Sequence, residues 1–157
     1  MDLRTYIEEQ KVRRVGHRPP VSVTPDTSIE GALGLMRERS VGCLLVTEGS
    51  QLRGIFTERD VLRRVVARGS SASFEDPISK VMTADPVVAH ADEGLAVLLR
   101  RMHEGGFRHL PLLDASDRVL GTISMKRVVG FLADQFAEAV YNLPPKPQTF
   151  GSAREGA

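Results

Sequence analysis

The chain repeats itself. Slid along itself by about 66 residues, Pro20-Val21-Ser22-Val23 falls on Pro86-Val87-Val88-Ala89, and Ile29, Leu33 and Met36 fall on Leu95, Leu99 and Met102. Val46 falls on Leu112. After a one-residue insertion Gly54-Ile55-Phe56-Thr57 falls on Gly121-Thr122-Ile123-Ser124, and Val61 on Val128. Two copies of one supersecondary unit point to an internal pseudo-dimer rather than to a long solenoid.

Within each copy the pattern alternates between strand and helix periods. A short strand follows the leading proline (Val21–Val23, Val87–Ala89). Apolar residues at helical spacing come next: Ile29, Ala32, Leu33 and Met36, or Leu95, Leu98, Leu99 and Met102. Asp26 and Asp92 precede these helices, as caps or as charges favoured at their positive ends. Two apolar strands joined by a polar turn follow: Cys43–Thr47 and Leu52–Phe56, then Leu110–Leu113 and Val119–Ile123. A second helix is predicted from Thr57 or Ser124, carrying Val61, Leu62, Val65 and Val66 or Val128, Val129 and Leu132. The expected fold class is α+β: two β-α-β-β-α repeats related by a pseudo-twofold axis and forming one module.

The expected division is an N-terminal segment (1–18), a first repeat (19–70), a connector with a short helix (71–84), a second repeat (85–141) and a disordered tail (142–157). The connector is rich in Gly and Ser and leads into the amphipathic Pro77-Ile78-Ser79-Lys80-Val81-Met82. The N-terminal segment is polar, with room for one helical stretch. The tail opens with three prolines in four residues, Pro144, Pro145 and Pro147.

Composition removes several classes. The chain has 157 residues, 41% of them apolar and 26% charged, and these proportions are those of an ordinary globular chain rather than a disordered or collagen-like one. With 5% aromatics and no Trp, the core has to come from Val, Leu, Ile, Ala and Met. The net charge of +1 does not advertise a duplex-binding surface. No apolar run reaches the roughly 18–20 residues of a membrane span, and Met1-Asp2-Leu3-Arg4 lacks a signal-peptide pattern. Cys43 is the sole cysteine, so no intrachain disulfide or multi-cysteine zinc site is available. The expected location is cytoplasmic, without membrane association.

In its motifs the chain resembles a tandem cystathionine-β-synthase (CBS) domain pair. The residues responsible are Gly54-Ile55-Phe56-Thr57-Glu58-Arg59-Asp60 and Gly121-Thr122-Ile123-Ser124. Lys80-Val81-Met82-Thr83 and Phe107-Arg108-His109-Leu110-Pro111-Leu112 support them. The similarity runs over about residues 12–141. It implies that each repeat is a small sheet with two packed helices, and that the clefts between repeats bind adenosine nucleotides. It also implies a role in regulation without catalysis, and a tendency of two modules to stack.

Thr57-Glu58-Arg59-Asp60 is in the first place a helix start, with a threonine cap and an acid three residues on completing a capping box. A helix start at the end of a strand also offers backbone N–H groups to a phosphate. The Thr57 hydroxyl is a further donor, and a carboxylate suits the two donors of a ribose 2′,3′-diol. The family resemblance assigns that role to Asp60, with Arg59 beside it. Ser124-Met125-Lys126-Arg127 departs from the pattern: it keeps the hydroxyl but puts Arg127 where the acid belongs. A guanidinium has no acceptor for a diol. Lys126 and Arg127 also oppose the helix dipole. A phosphate, an acid on a partner, or simple extension into water would each accommodate them. Arg108 and His109, opposite Gly42 and Cys43 of the first repeat, either approach phosphate in the cleft or, for His109, form an ordinary strand histidine bonded to a carbonyl. The adenine is expected near Val21, Val23 and Thr24, at the site of Asp60.

Other chemistry finds little support. His17, His90, His103 and His109 show no metal-ligand spacing, no nucleophile elbow or P-loop is present, and Cys43 lies in an apolar strand. No catalytic residue, metal or required cofactor is expected. The favoured function is a regulatory or sensor module, not an enzyme, that binds AMP, ADP or ATP as a regulatory ligand, with NAD or S-adenosylmethionine left open. Its partners would be a second copy, through Val65, Val66, Val129, Phe131 and Phe136, with core packing as the competing account of these residues, and a separate regulated enzyme. The rival is an interaction dimer with empty clefts. Nucleic-acid binding through Arg13, Arg14, Arg18, Arg63 and Arg64 is disfavoured by near-neutral charge and few aromatics.

Overall fold

The computed structural model describes residues 1–67 and 69–137. The elements run α1 (Leu3–Glu9), β1 (Ser22–Val23), α2 (Ile29–Arg39), β2 (Cys43–Glu48), β3 (Gln51–Thr57) and α3 (Glu58–Asp60), which continues as π-helical turns over Val61–Val66. Then come β4 (Thr83–Ala84), β5 (Ala89–His90), α4 (Leu95–Gly105), β6 (His109–Leu113), β7 (Val119–Ser124) and α5 (Met125–Gln135). Single 3-10 turns at Val12–Arg14 and Ile78–Lys80 stand before the two repeats. The chain is an α+β pair of repeats, as the doubled pattern predicts. The tail and residues 138–141 of the second repeat lie outside the described residues.

Each repeat contributes a parallel strand followed by an antiparallel hairpin. β1 pairs with β2 in parallel, and β5 with β6. β2 runs antiparallel to β3 with Cys43 opposite Thr57, and β6 antiparallel to β7 with His109 opposite Ser124. The two equivalent pairings bring the start of one hairpin strand beside the cap of the following helix in both halves.

The caps differ from expectation. Ser28, not Asp26, caps α2 by accepting from the Gly31 N–H at 3.0 Å, and Gly94 stands at the cap of α4 without a side-chain bond. Asp26 instead accepts from the Thr24 hydroxyl, and Asp92 pairs with Arg13 at 2.7 Å. Ser40 and Gly106, both left-handed, close α2 and α4. Ser40 does so at φ 52°, and its N–H returns to the last turn.

Strand alternation explains why β2 is apolar from Cys43 to Val46. Leu44 and Val46 face the first-half core with Ile29, Ala32, Met36 and Phe56. Cys43 and Leu45 face the other way and join Ile55 in a smaller cluster, against which Val119 of the second half packs. The second-half core gathers Ala89, Leu95, Leu98, Met102, Leu110, Leu112, Ile123 and Val128. A sheet covered on both faces needs apolar residues at successive positions, and that covering joins the halves.

Each core is finished by the segment that leads into the other repeat. Val12 and Val15, ahead of the first repeat, are buried in the second-half core, whereas Ile78 and Val81, ahead of the second repeat, are buried in the first. The hydrogen bonds repeat this exchange. The Val12 N–H donates to Glu93 O at 3.0 Å and that of Ile78 to Thr27 O at 2.7 Å. The Leu95 N–H, at the start of α4, donates to Gln10 O, and the Ile29 N–H, at the start of α2, to Asp76 O, both at 2.9 Å. Arg18 bridges Thr122 of β7, while Thr83 and Ala84 pair with Ile55 and Gly54 of β3. The motif glycines make the crossing possible. A Cβ on Gly54 would stand 2.6 Å from Met82 Sδ and 2.9 Å from Thr83 O, and one on Gly121 would stand 1.9 Å from Arg18 O.

Two of the aromatic residues offered for a dimer surface or for core packing are engaged within the chain. Phe131 stacks with Tyr6 at a centroid distance of 6.0 Å, and Phe136 meets the same ring edge-on at 5.4 Å. Val65 is likewise a core residue. α1, short and uncovered on its own, is held against the second half by this aromatic contact.

Candidate functional site

Two clefts open between the halves, related by the same offset as the repeats. The smaller, about 520 Å³, runs from Thr57, Glu58, Arg59 and Asp60 to Thr83, Pro86, Val87, Phe107, Arg108 and His109. The larger, about 860 Å³, runs from Ser124, Met125, Lys126 and Arg127 to Val15, Arg18, Pro19, Val21, Val41, Gly42 and Cys43. Gly42, Glu58, Arg108 and His109 line both, and form the wall between them.

The expected site residues are therefore divided. Thr57, Arg59, Asp60, Arg108 and His109 meet in the smaller cleft. Ser124, Lys126 and Arg127 meet in the larger one, where Arg108 and His109 also reach. The adenine wall expected for the Asp60 site does not form from Val21, Val23 and Thr24. Val21 lines the larger cleft, and Val23 and Thr24 line neither. The exchange of lead-in segments is the cause, because β4 and Pro86-Val87, not the start of the first repeat, run beside β3. Val87, the repeat partner of Val21, takes the place beside Asp60. Thr83, Pro86, Val87 and Phe107 were missed as site residues, although the repeat alignment itself marks Val87 as the equivalent of Val21.

Asp60 is built into the fold. Among the described residues it is the one charged residue that is buried, at 7% exposure. Oδ2 accepts from the Thr57 N–H at 3.0 Å and from Thr57 Oγ1 at 3.1 Å, while Asp60 N–H donates to Thr57 Oγ1 at 3.3 Å. This is the capping box that the spacing predicts. Oδ1 accepts from Thr83 Oγ1 at 3.2 Å, with Arg64 Nε at 3.6 Å. A carboxylate has about four acceptor positions, so Oδ1 retains one. The Thr57 proton is already engaged on Asp60, which makes Thr57 the residue that holds Asp60 rather than a free donor for a phosphate. Arg59 is held as well, donating to Gly106 O, and Arg64 donates to the carbonyls of Val81 and Met82.

The larger cleft has a different charge pattern. Ser124 caps α5, accepting from the Arg127 N–H at 3.1 Å, but no acid stands in the first turn. Arg18, Arg108, Lys126 and Arg127 line this cleft with only Glu58 and Asp134 as acids. Among the described residues none of those four cations forms an ion pair. Arg18 donates to Ser40 O at 3.2 Å. The Arg127 guanidinium folds over Gly16, where a Cβ would stand 3.5 Å from Nη1.

At the shared wall His109 packs on Gly42. A Cβ there would stand 3.3 Å from His109 Cε1 and 3.4 Å from Glu58 Oε2. Burial pushes the imidazole below its ordinary pKa of 6.5. Glu58 opposes the shift, and the charges of Arg108 and Arg18 reinforce it. Burial also pushes the Cys43 thiol up to about 11, so it is a packed core group and not a nucleophile. Among the described residues no group of three or more His, Cys, Asp or Glu is arranged to hold a metal ion.

Comparison with known proteins matches both halves to one family model. The CBS domain model fits residues 12–67 and 78–134, and each match begins at a buried lead-in residue. The CBS domain-containing protein CBSCBSPB5 of Arabidopsis thaliana is 36% identical over 107 residues, covering 68% of this chain and 19% of that protein. The chain thus spans about a fifth of the length of that relative. Among solved structures, a CBS-domain containing protein from Agrobacterium tumefaciens superposes with a TM-score of 0.70 at 33% identity, covering 77% of this chain and 98% of that one. A CBS domain protein from Pyrobaculum aerophilum, complexed with AMP, shares the fold with a TM-score of 0.68 at 19% identity, over 80% of this chain and 99% of that one.

Proposed function

The chain belongs to the CBS-domain family, with one domain in each half, and from that premise we propose that it is a regulatory or sensor module binding an adenosine-containing ligand in the smaller cleft. The observation that carries this is Asp60. A buried carboxylate, fixed by Thr57 and Thr83 and keeping an acceptor position, lines a cleft between the halves. Burial strengthens its bond to a sugar hydroxyl. Val87, Pro86 and Phe107 supply an apolar side for a base, and Arg63 and Arg108 supply charge for a phosphate. The AMP held by the Pyrobaculum aerophilum protein supports the ligand class.

A ligand between two halves acts on a separate partner only by binding two arrangements of those halves unequally. The shared wall of Glu58, Arg108 and His109 is where such a difference would arise, since these groups touch both clefts. An adenosine nucleotide and a lone, buried Cys43 both fit a cytoplasmic setting. A second copy is the partner best suited to α3 and α5. Leu62 and Val129, equivalent under the repeat offset, are 66% and 56% exposed, and Val66 beside them is 62% exposed. Two such apolar strips related by a twofold are self-complementary. Sedimentation should give a dimer that Leu62→Glu with Val129→Glu converts to monomer; a wild-type monomer at high concentration would remove this surface.

The ligand is tested by thermal shift with AMP, ADP, ATP, NAD and S-adenosylmethionine. At 100 times its dissociation constant a ligand adds about 2.7 kcal/mol of stability. Asp60→Asn, which retains an acceptor for the Thr57 N–H, should weaken that ligand roughly ten- to hundredfold through loss of the charge-assisted bond. A panel without any shift would leave an interaction dimer with empty clefts, and an unchanged affinity in folded Asp60→Asn would take Asp60 out of the site.

A further inference from the structure

An arginine ties the two halves across each cleft. Arg59, on the helix start of the first half, donates to Gly106 O at the end of α4 in the second. Arg18, whose backbone pairs with Thr122 of the second half, donates to Ser40 O at the end of α2 in the first, at 3.2 Å. Both acceptors are left-handed cap residues, at φ 65° and 52°, and each stands at the negative end of an eleven-residue helix. A cation is favoured there. The ties are alike in chemistry but differ in what they hold. Under the repeat offset Gly105-Gly106 falls on Arg39-Ser40. Side chains restrict the backbone at the rim of the larger cleft, whereas two successive glycines leave the rim of the smaller one free to bend. Phe107, next in the chain, folds back over Gly105, where a Cβ would overlap its ring, and both residues line the smaller cleft.

We infer that Arg59 is a strap over the smaller cleft: its bond to Gly106 O holds the glycine rim and Phe107 against the helix start of Asp60, opens to admit a ligand, and re-forms behind it. This rests on the adenosine reading of that cleft and adds to it how entry is gated. Arg59 is half-buried and lines the cleft beside Asp60. Among the described residues it has no carboxylate partner, so the Gly106 carbonyl is its acceptor. A single exposed hydrogen bond is weak enough to break at each entry, yet strong enough to set how often the rim stands open. Val87 and Phe107, the apolar side for a base, belong to the second half with Gly106, and Asp60 belongs to the first with Arg59. A nucleoside spanning them is enclosed only while the two sides are joined.

The probe is 2-aminopurine riboside 5′-monophosphate, a fluorescent isomer of AMP, mixed by stopped flow with the whole protein, which has no Trp to overlap its signal. In Arg59→Gln association and dissociation should both quicken by roughly two- to tenfold, the span of one exposed hydrogen bond, with the affinity little changed. Removing a cation slows the arrival of an anion, so faster association cannot come from charge. Arg59→Met, which keeps the stem and removes the donors, repeats the test should Arg59→Gln fold poorly. Without ligand, the Gly106 and Phe107 amides, bonded to His103 O and Met102 O, should exchange faster with solvent deuterium in either variant than in the wild type. Faster dissociation alone would make Arg59 a ligand contact and overturn the strap, as would unchanged rates or unchanged amide exchange. A wild type that binds no adenosine compound in the thermal-shift panel removes the ligand reading and the gate with it, whereas binding at unaltered rates removes the gate alone.

Discussion

Gly121→Ala should damage the fold well beyond the size of one methyl group. The new Cβ would stand 1.9 Å from Arg18 O, 2.9 Å from His17 Cδ2 and 3.0 Å from the Arg18 carbonyl carbon. An ordinary C···O contact is about 3.3 Å or more, so the crossing backbone must move by more than about 1 Å. That motion breaks the reciprocal pair in which the Arg18 N–H donates to Thr122 O and the Thr122 N–H to Arg18 O, both at 3.1 Å. Overpacking costs about 1–3 kcal/mol, and each of the two hydrogen bonds about 0.5–1.5 kcal/mol net, giving a loss of roughly 2–6 kcal/mol. For a chain of this size that lowers Tm by roughly 4–24 °C. The assay is calorimetry beside Gly34→Ala, a helical glycine of α2 with nothing within 4 Å of its Cβ. That control should gain about 0.5–1 kcal/mol. If the two variants melt alike, the crossing does not stabilise the fold as argued. Gly54→Ala tests the reciprocal crossing, with Thr83 O at 2.9 Å as its obstacle.

Two further tests follow from burial where the halves meet. Burial holds His109 neutral below its ordinary value, so the unfolded chain takes up the proton first, and stability falls as pH drops through 6.5 towards the lower folded value. Urea midpoints at about pH 7.5 and about pH 5.5 should therefore converge in His109→Gln relative to wild type; an unchanged gap between the two proteins would show that His109 is not titrating in a buried site. Cys43, its thiol pushed up to about 11 by burial, should resist alkylation at pH 8 while the protein is folded and react promptly in denaturant. Equal rates in the two states would contradict its placement in the junction between the halves.

The element pattern and the composition of the cores were legible because they follow from local periodicity. Val12 and Ile78 were visible as apolar residues in polar stretches, but nothing in their neighbours says which core receives them. Asp60 was legible both as a cap and as a site acid, since a capping box depends on residues three apart. Arg127 was equally plain as a departure from the pattern. Val21, Val23 and Thr24 failed as the wall of the Asp60 cleft because their placement depends on which hairpin edge each lead-in segment pairs with. Phe131 and Phe136 looked like a surface for a second copy, since the distant Tyr6 that covers them has no sequence relation to them.

By itself, the order of residues determined that there are two like halves, what each half is made of, and that the second helix start has lost its acid. Only the tertiary structure decided that the halves exchange their leading segments, that the motif glycines are the points where backbones cross, and that Glu58, Arg108 and His109 belong to both clefts at once. The division has a physical cause. Helix caps and strand alternation are settled within a few residues, whereas a backbone passing within hydrogen-bonding distance of a strand about 104 positions away, as Arg18 does at Thr122, is selected by the burial and pairing of the whole.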